Sequence, residues 1–151
     1  MATYKSGKDC KVTLGANTVV GMGTWSLDSV TTDQMDASAF NDNWKSFEFG
    51  MKDGGTISFG GLYDAADTTG REALQLARLN NTDLTTLRLY IDDTSYYEPC
   101  QTTGYFSPTN TTGNDTVVSH VNVLTCPMNA DKADLVKIDF TCKVSGVMVL
   151  V

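Results

Sequence analysis

A stretch near the C-terminal end of the sequence alternates strictly between apolar and polar residues. The apolar positions are Val136, Ile138, Phe140, Cys142 and Val144, and the positions between them are Lys137, Asp139, Thr141 and Lys143. Because successive side chains of a β-strand point to opposite faces, this pattern predicts a strand with one face on a core and the other in solvent. We expect the segment from Asp134 to Val151 to be one long strand or a strand pair, with a bulge or turn at Gly146.

The sequence between residues 44 and 63 predicts a β-hairpin. Strands from Trp44 to Met51 and from Thr56 to Tyr63 flank Asp53-Gly54-Gly55, which is a favourable turn sequence. The alternation predicts an apolar face formed by Phe47, Phe49, Met51, Ile57 and Phe59. It predicts a small, polar face formed by Ser46, Glu48, Thr56, Ser58 and Gly60. Two-faced strands of this kind cover a core on one side only.

Further strands are predicted along the chain, together with one helix. The strands are Lys8–Leu14, Thr18–Asp28, Leu84–Ile91 and Thr116–Cys126, the first two joined as a hairpin. The helix begins with the capping-box pattern Thr69-Gly70-Arg71-Glu72, and Asn80-Asn81 ends it. Short connections favour antiparallel pairing. The predicted fold is mainly β: an antiparallel β-sandwich or half-open barrel with one flanking α-helix, in a single domain spanning residues 1–151.

Two long polar stretches interrupt this pattern. Ser29–Asn43 has only Val30, Met35 and Phe40 as larger apolar residues, and we expect it to be a long loop. Thr94–Asp115 is a second polar and irregular stretch, which we interpret as a surface excursion with some strand structure. Loops longer than about 12 residues are uncommon in compact domains and are usually functional or mobile.

The charge of the chain argues against nucleic-acid binding. The formal net charge is −7, and the basic residues are scattered apart from Lys5, Lys8 and Lys11. A protein that grips DNA needs clustered cations to displace counterions. We interpret the three lysines as a solvated stretch.

The sequence indicates a protein made in the cytoplasm. The N-terminus has no apolar signal region, and no window approaches the roughly 20 apolar residues of a membrane span. Cys10, Cys100, Cys126 and Cys142 form no C-x-x-C pair, so free thiols are expected. Two disulfides and a secreted protein remain the alternative, since Asn80, Asn110 and Asn114 begin glycosylation sequons.

The residues give no indication of catalysis. His120 is the sole histidine, and the chain lacks nucleophile-elbow, phosphate-loop and zinc-protease motifs. Asp28, Asp33, Asp36 and Asp42 share one loop, but their spacing does not match a calcium loop. We therefore expect no enzyme activity, no metal and no cofactor.

One segment carries a family resemblance. Asp36-x-Ser38-x-Phe40-x-Asp42-x-Trp44-Lys45 leads into Gly50-x-x-Asp53-x-Gly55. This order resembles the tail tube, or major tail, proteins of bacteriophages with long non-contractile tails (siphovirus-type). Gly61-Leu62-Tyr63-Asp64 and the Thr69-Gly70 helix start continue the resemblance. It covers Lys8–Ile91 well and the C-terminal third loosely.

The resemblance implies a fold related to the type VI secretion tube protein and a structural role in the virion tail. Members of the family form hexameric rings that stack into a hollow tube, assembled in the host cytoplasm, through which DNA is delivered. The implied partners are further copies of the chain, a tape-measure protein, and tail-terminator and tail-tip proteins. DNA would pass without specific binding, and no membrane is involved.

In a tube of this kind, the long loop would join one ring to the next. Its anchors would be Val30, Met35 and Phe40, with Trp44 at the base. The polar strand face, with Ser46, Glu48, Thr56 and Ser58, would line the lumen. The alternative function is a β-sandwich module that binds carbohydrate or another surface through an aromatic platform formed by Tyr96, Tyr97, Tyr105 and Phe106.

Overall fold

The computed structural model describes residues 2–28, 30–101 and 119–151. In these ranges a 3-10 turn (Gly7–Asp9) is followed by twelve strands and one α-helix. In chain order these are β1 (Lys11–Leu14), β2 (Asn17–Thr18), β3 (Met22–Leu27), β4 (Thr31–Asp36), β5 (Phe47–Asp53), β6 (Thr56–Leu62), α1 (Arg71–Asn80), β7 (Leu87–Tyr90), β8 (Tyr96–Pro99), β9 (His120–Thr125), β10 (Met128–Asn129), β11 (Lys137–Ser145) and β12 (Met148–Leu150).

The strands form two antiparallel sheets and a separate two-stranded ribbon. The first sheet has the order β12-β8-β7-β1-β2. The second has the order β10-β11-β6-β3, with β9 also paired to β11. Strands β4 and β5 pair with each other, and the described residues provide no other strand beside them. This architecture confirms the predicted antiparallel β-sandwich with one helix.

The core lies between the two sheets, and β11 supplies its centre. Ile138, Phe140, Cys142 and Val144 are at most 3% exposed, which confirms the face predicted from the alternation. Phe140 stacks on Phe59 of the neighbouring strand β6, with 5.1 Å between ring centroids. Burial also raises the pKa of the Cys142 thiol to about 12, so this cysteine is an inert core residue.

Gly146 ends β11 as predicted. Its φ of +98° lies in the region that favours glycine, and the chain then enters β12, which pairs with β8 of the first sheet. The C-terminal segment is therefore a strand pair that connects the two sheets.

The helix begins as expected, but its cap is different from the prediction. The cap residue is Gly70, and no Thr69 cap is formed. Instead the buried carboxylate of Asp67 accepts hydrogen bonds from the backbone N–H groups of Gly70, Arg71 and Val20, at 2.9, 3.1 and 2.9 Å. Asp67 therefore satisfies the helix start and fastens it to the segment before β3. At the other end Asn81 adopts φ of +52°, as expected for the residue that ends a helix.

The first predicted hairpin is only partly present. Strand β1 pairs with the short β2, whereas β3 pairs with β6 in the other sheet. The predicted strand Thr18–Asp28 is interrupted at Gly21, whose φ is +83°. A Cβ at Gly21 would lie 2.5 Å from the carbonyl oxygen of Leu62. The glycine thus permits a crossing between sheets that the alternation alone did not reveal.

The hairpin predicted around Asp53-Gly54-Gly55 is wrong. Strand β5 pairs with β4, not with β6, in a register that joins Thr31 to Asp53 and Asp36 to Phe47. The glycines mark a passage from the ribbon into the second sheet, where Gly55 has φ of +92°. Consequently Ile57 and Phe59 are buried as predicted, but Phe47 and Phe49 are 42% and 70% exposed and do not reach the core.

The expected loop Ser29–Asn43 is also corrected, because Thr31–Asp36 forms β4. The ribbon continues the β3–β6 pair outward: the Asp28 N–H donates to the Thr56 carbonyl at 3.0 Å, between the two strand pairs. We call residues 30–53 the arm and residues 37–46, which connect its strands, the tip.

The central position of Phe140 generates a stability prediction. Phe140→Ala should lower the free energy of unfolding by about 3–5 kcal/mol, because it removes a ring that is 1% exposed and leaves a cavity. Leu79→Ala, at a helix position that is 68% exposed, is the control and should change stability by less than about 0.5 kcal/mol. Equal effects of the two substitutions in denaturant titrations would contradict this assignment of the core.

The Asp67 cap predicts a pH dependence. Burial raises the pKa of Asp67, but the backbone N–H groups of Val20, Arg71 and Gly70 lower it, and the net pKa lies below the ordinary 3.8. The stabilisation that Asp67 provides is therefore complete above the pKa that this carboxyl has in the unfolded chain. It is lost as the pH falls through the lower pKa that the carboxyl has in the folded protein. Asp67→Asn should cost about 1–3 kcal/mol at neutral pH. The difference from wild type should shrink below about pH 4, and a constant difference would contradict the prediction.

Candidate functional site

The arm exposes an unusual amount of apolar surface. Every residue of β4 and β5 is exposed. Of the 17 large apolar side chains that are exposed among the described residues, seven belong to the arm: Val30, Met35, Phe40, Trp44, Phe47, Phe49 and Met51. A two-stranded ribbon is at best marginally stable in water without packing against something else. The arm therefore has the properties of a segment that is covered by a partner.

The two faces of the arm differ in character. Residues opposite each other in an antiparallel pair share a face, so Phe47 and Phe49 form a short apolar row beside Asp36 and Gln34 of β4. The register then shifts, and Lys52, opposite Thr32, lies on the same face. The other face carries Met35, Glu48 and Gly50, with the Met35 methyl carbon 3.9 Å from a Cβ position built on Gly50.

Hydrogen bonds within the tip fix its shape although it lies in solvent. The Ser38 N–H donates to Asp36 Oδ1 at 2.9 Å, and the Ala39 N–H donates to Asp42 Oδ2 at 2.6 Å. The Ser46 N–H donates to Ser38 Oγ at 2.8 Å. The bonds from Ser38 also lower the pKa of Asp36 below its ordinary value. Local polar bonds of this kind reduce the entropy that a partner must remove on binding.

The four predicted ring-joining residues all lie on the arm but do not form one cluster. Phe40 and Trp44 both lie in the tip, where they are 100% and 88% exposed. Met35 lies in β4, and Val30 lies at the base. Sequence reasoning missed that Phe47, Phe49 and Met51 are exposed, because their alternation looks like that of a core strand.

The base of the arm is fastened to the sandwich. Asp53 Oδ1 accepts from Lys143 Nζ of β11 at 2.6 Å and from the Gly55 N–H at 2.8 Å. Both bonds hold the pKa of Asp53 below its ordinary value, and the bond from Lys143 has the larger effect. A Cβ at Gly54 would lie 2.0 Å from the Gly146 carbonyl oxygen. The arm therefore leaves the second sheet through a close crossing of two backbone segments.

The four predicted lumen residues fall into two groups. Thr56 and Ser58 lie on the outer face of β6, turned away from the buried Ile57 and Phe59. Ser46 and Glu48 lie on the arm, beyond the passage at Gly54-Gly55. The structure therefore does not join all four on one continuous strand.

The outer face of the second sheet is small and polar. Ser58 pairs with Ser26 of β3 on one side and with Thr141 of β11 on the other. Gly60 pairs with Thr24 and Asp139 in the same way. This face offers hydroxyl groups and short side chains, with the Asp139 carboxylate near its middle. Lys137 and Lys143 lie towards its ends and form ion pairs with Asp134 and Asp53.

The proposed aromatic platform is not formed by its described members. Tyr96 and Tyr97 are successive strand residues and point to opposite sides: Tyr96 stacks on Tyr90 at 4.9 Å, whereas Tyr97 packs against the core. Arg88 lies 4.7 Å over the Tyr96 ring and Lys11 lies 4.5 Å over the Tyr90 ring, so these faces already have cationic partners. Tyr105 and Phe106 lie outside the described residues, as do Asn110 and Asn114.

Features of an enzyme site are not evident in the part of the chain that the structure describes. Residues 2–28, 30–101 and 119–151 contain no cluster of three or more His, Cys, Asp or Glu side chains suited to a metal ion. His120 lies 3.5 Å from Asp83 on the surface side of β9. In the same ranges, no helix has the length and apolarity needed to cross a membrane.

Comparison with known proteins gives matches at the level of structure. No family model matches the sequence, and neither does any curated protein. A chain in the tail of an empty gene transfer agent particle, determined with C6 symmetry, matches with TM-score 0.70 and 13% identity over 98% of this chain and 99% of that one. A chain of the native gene transfer agent virion matches with TM-score 0.68, the same identity and the same coverage.

A chain of the sheath–tube complex of an extracellular contractile injection system also matches, with TM-score 0.51 and 10% identity over 98% of this chain and 91% of that one. At such low identities the likeness concerns the fold. The sandwich, its helix and its projecting arm together have a tail-tube-like fold.

Proposed function

We propose that the protein is a structural subunit that self-assembles into stacked hexameric rings, which form a hollow phage-type tail tube for DNA delivery. The observation that carries this proposal is the arm, whose apolar row and aromatic tip are exposed in the single chain. Monomeric soluble proteins rarely leave such surface uncovered. The likeness to tail components, one of them with C6 symmetry, supports six copies around an axis as the arrangement that covers it.

The arm is the proposed connector between rings, with Val30, Met35 and Phe40 as contacts and Trp44 beside them. The polar strand residues Ser46, Glu48, Thr56 and Ser58 are the proposed lumen lining. A channel for DNA should not retain it, so small uncharged groups and carboxylates suit the lining better than lysine or arginine. The net charge of −7 agrees with this requirement.

The remaining parts of the proposal concern its setting. The tube would belong to a virion tail, of the long non-contractile type or a phage-derived relative, and would be assembled in the host cytoplasm. A tape-measure protein would fix its length, and terminator and tip proteins would close its ends. Such a subunit acts by assembly and has no catalytic role.

Removal of the arm tests the connector role. Because the Asp28–Thr56 hydrogen bond already pairs β3 with β6 at the base, residues 31–53 can be replaced by an Asn-Gly turn. The shortened chain should keep the circular dichroism and cooperative melting of the sandwich but form no tubes. Electron microscopy and sedimentation at matched concentration provide the measurement.

A second variant changes two apolar side chains of the arm without deleting it, so that a loss of tubes cannot be attributed to a changed fold. Phe49→Ser and Met51→Ser together change only side chains that are 70% and 82% exposed, so the monomer should lose less than about 0.5 kcal/mol per site. Leu79→Ser, on the helix, is the matched exposed control. Ordinary tubes from the armless chain would show that the arm is not the connector.

Charge on the proposed lumen provides a second test. Ser58→Lys and, separately, Glu48→Lys should leave the fold intact, because both sites are exposed. Each would add a ring of positive charge that attracts phosphates, so particles should assemble but deliver DNA slowly. Normal delivery by particles shown to carry one substitution would remove that residue from the lumen.

A further inference from the structure

An open groove lies on the sandwich, remote from the arm. It has a volume of about 270 Å³ and runs between the 3-10 turn and β1 on one side and β3 on the other. Val12, Met22 and Trp25 supply apolar walls, and Cys10, Lys11 and Gly23 complete the lining. The walls are fixed: the Trp25 indole N–H donates to the Tyr90 carbonyl at 3.0 Å, and the Cys10 thiol donates to the Ile91 carbonyl at 3.3 Å.

The groove borders an open sheet edge. Among the described strands, β3 is paired with β6 only. Alternate N–H and C=O groups along β3 therefore point to its open side, where an added segment can bond to them. Gly23 leaves space there, because a Cβ built on it meets no atom within 4 Å.

The tip has the complementary chemistry. Its aromatic side chains, Phe40 and Trp44, are almost fully exposed, and hydrogen bonds on either side of them hold the tip backbone. Aromatic residues of this kind are the usual anchors of protein interfaces, where they enter well-defined apolar pockets. The tip carries Asp42, and Asp36 immediately precedes the tip, whereas Lys11 lines the groove.

The groove cannot receive the tip of its own chain. Strand β4 continues beyond β3, and six strand residues at roughly 3.3 Å each place the tip about 20 Å farther out. The groove lies at the opposite, N-terminal part of β3, at Met22–Trp25. Because all residues of β4 and β5 are exposed, the arm does not fold back on the sandwich.

We infer that the groove between β1 and β3 is the acceptor site for the arm tip of a second copy of the chain, with Phe40 and Trp44 entering beside Trp25 and the edge of β3. This inference rests on the proposed function and names the surface that its connector binds. Tip and groove are different surfaces, so the contact is heterologous and repeats from copy to copy. The opposite charges orient the approach more than they add affinity.

Two complementary variants test the contact. A tip variant, Phe40→Ala with Trp44→Ala, keeps its groove. A groove variant, Gly23→Trp, keeps its tip, and the open space at Gly23 lets the sandwich fold as in wild type. Each variant alone should lose at least about 30-fold in self-association, the loss expected for one anchor residue. Mixed together they should bind each other through one intact tip and one intact groove.

Sedimentation of each variant, of the mixture and of wild type separates the outcomes. A new species with the two variants in equal amounts, seen only in the mixture, supports the inference. If wild type assembles while the mixture gives no such species, or if the variants assemble like wild type, the inference is wrong and the proposed function stands. If wild type does not self-associate at any concentration, the proposed function fails and the inference fails with it.

Discussion

The pairing of β11 with strands on both sides is the interaction on which the second sheet depends. Its residues from Lys137 to Lys143 bond to β6, and its other edge bonds to β10 and β9. The same strand buries Phe140 against Phe59, so hydrogen bonding and core packing are concentrated in one element. The β6 strand held in this way pairs with β3, and these two strands carry the arm.

The sequence was informative where a residue pattern has one structural meaning. The alternation of β11, the helix from Arg71 and the turn at Gly146 were all predicted, because burial on one face, helix propensity and a positive φ each leave a local signal. The alternation at Phe47, Phe49 and Met51 was misread as a core strand. Period-two alternation reports two different faces, but it does not tell whether the chain itself or a second molecule covers the apolar one.

The position of the candidate site was predictable, but its structure was not. The apolar residues of 30–44 were predicted to contact a partner, and Phe40 and Trp44 are exposed at the tip. The strand β4 was missed because it is almost entirely polar and contains two Asp residues, which are depleted in strands, and pairing with β5 supplies the order instead. The Asp-Gly-Gly signal at residues 53–55 was read as a hairpin turn, while these residues serve a crossing beside Gly146.

The continuation of the β3–β6 pairing into the arm has a mechanical consequence. In an antiparallel pair the hydrogen bonds run perpendicular to the strands. A pulling force applied to the arm along the direction of β3 and β6 therefore acts perpendicular to their hydrogen bonds. Such a force loads these bonds together, in shear, and does not break them one at a time. Strand β6 passes this load sideways to β11, which pairs with it over seven residues. An extended filament built from such subunits would resist stretching through the second sheet of each subunit.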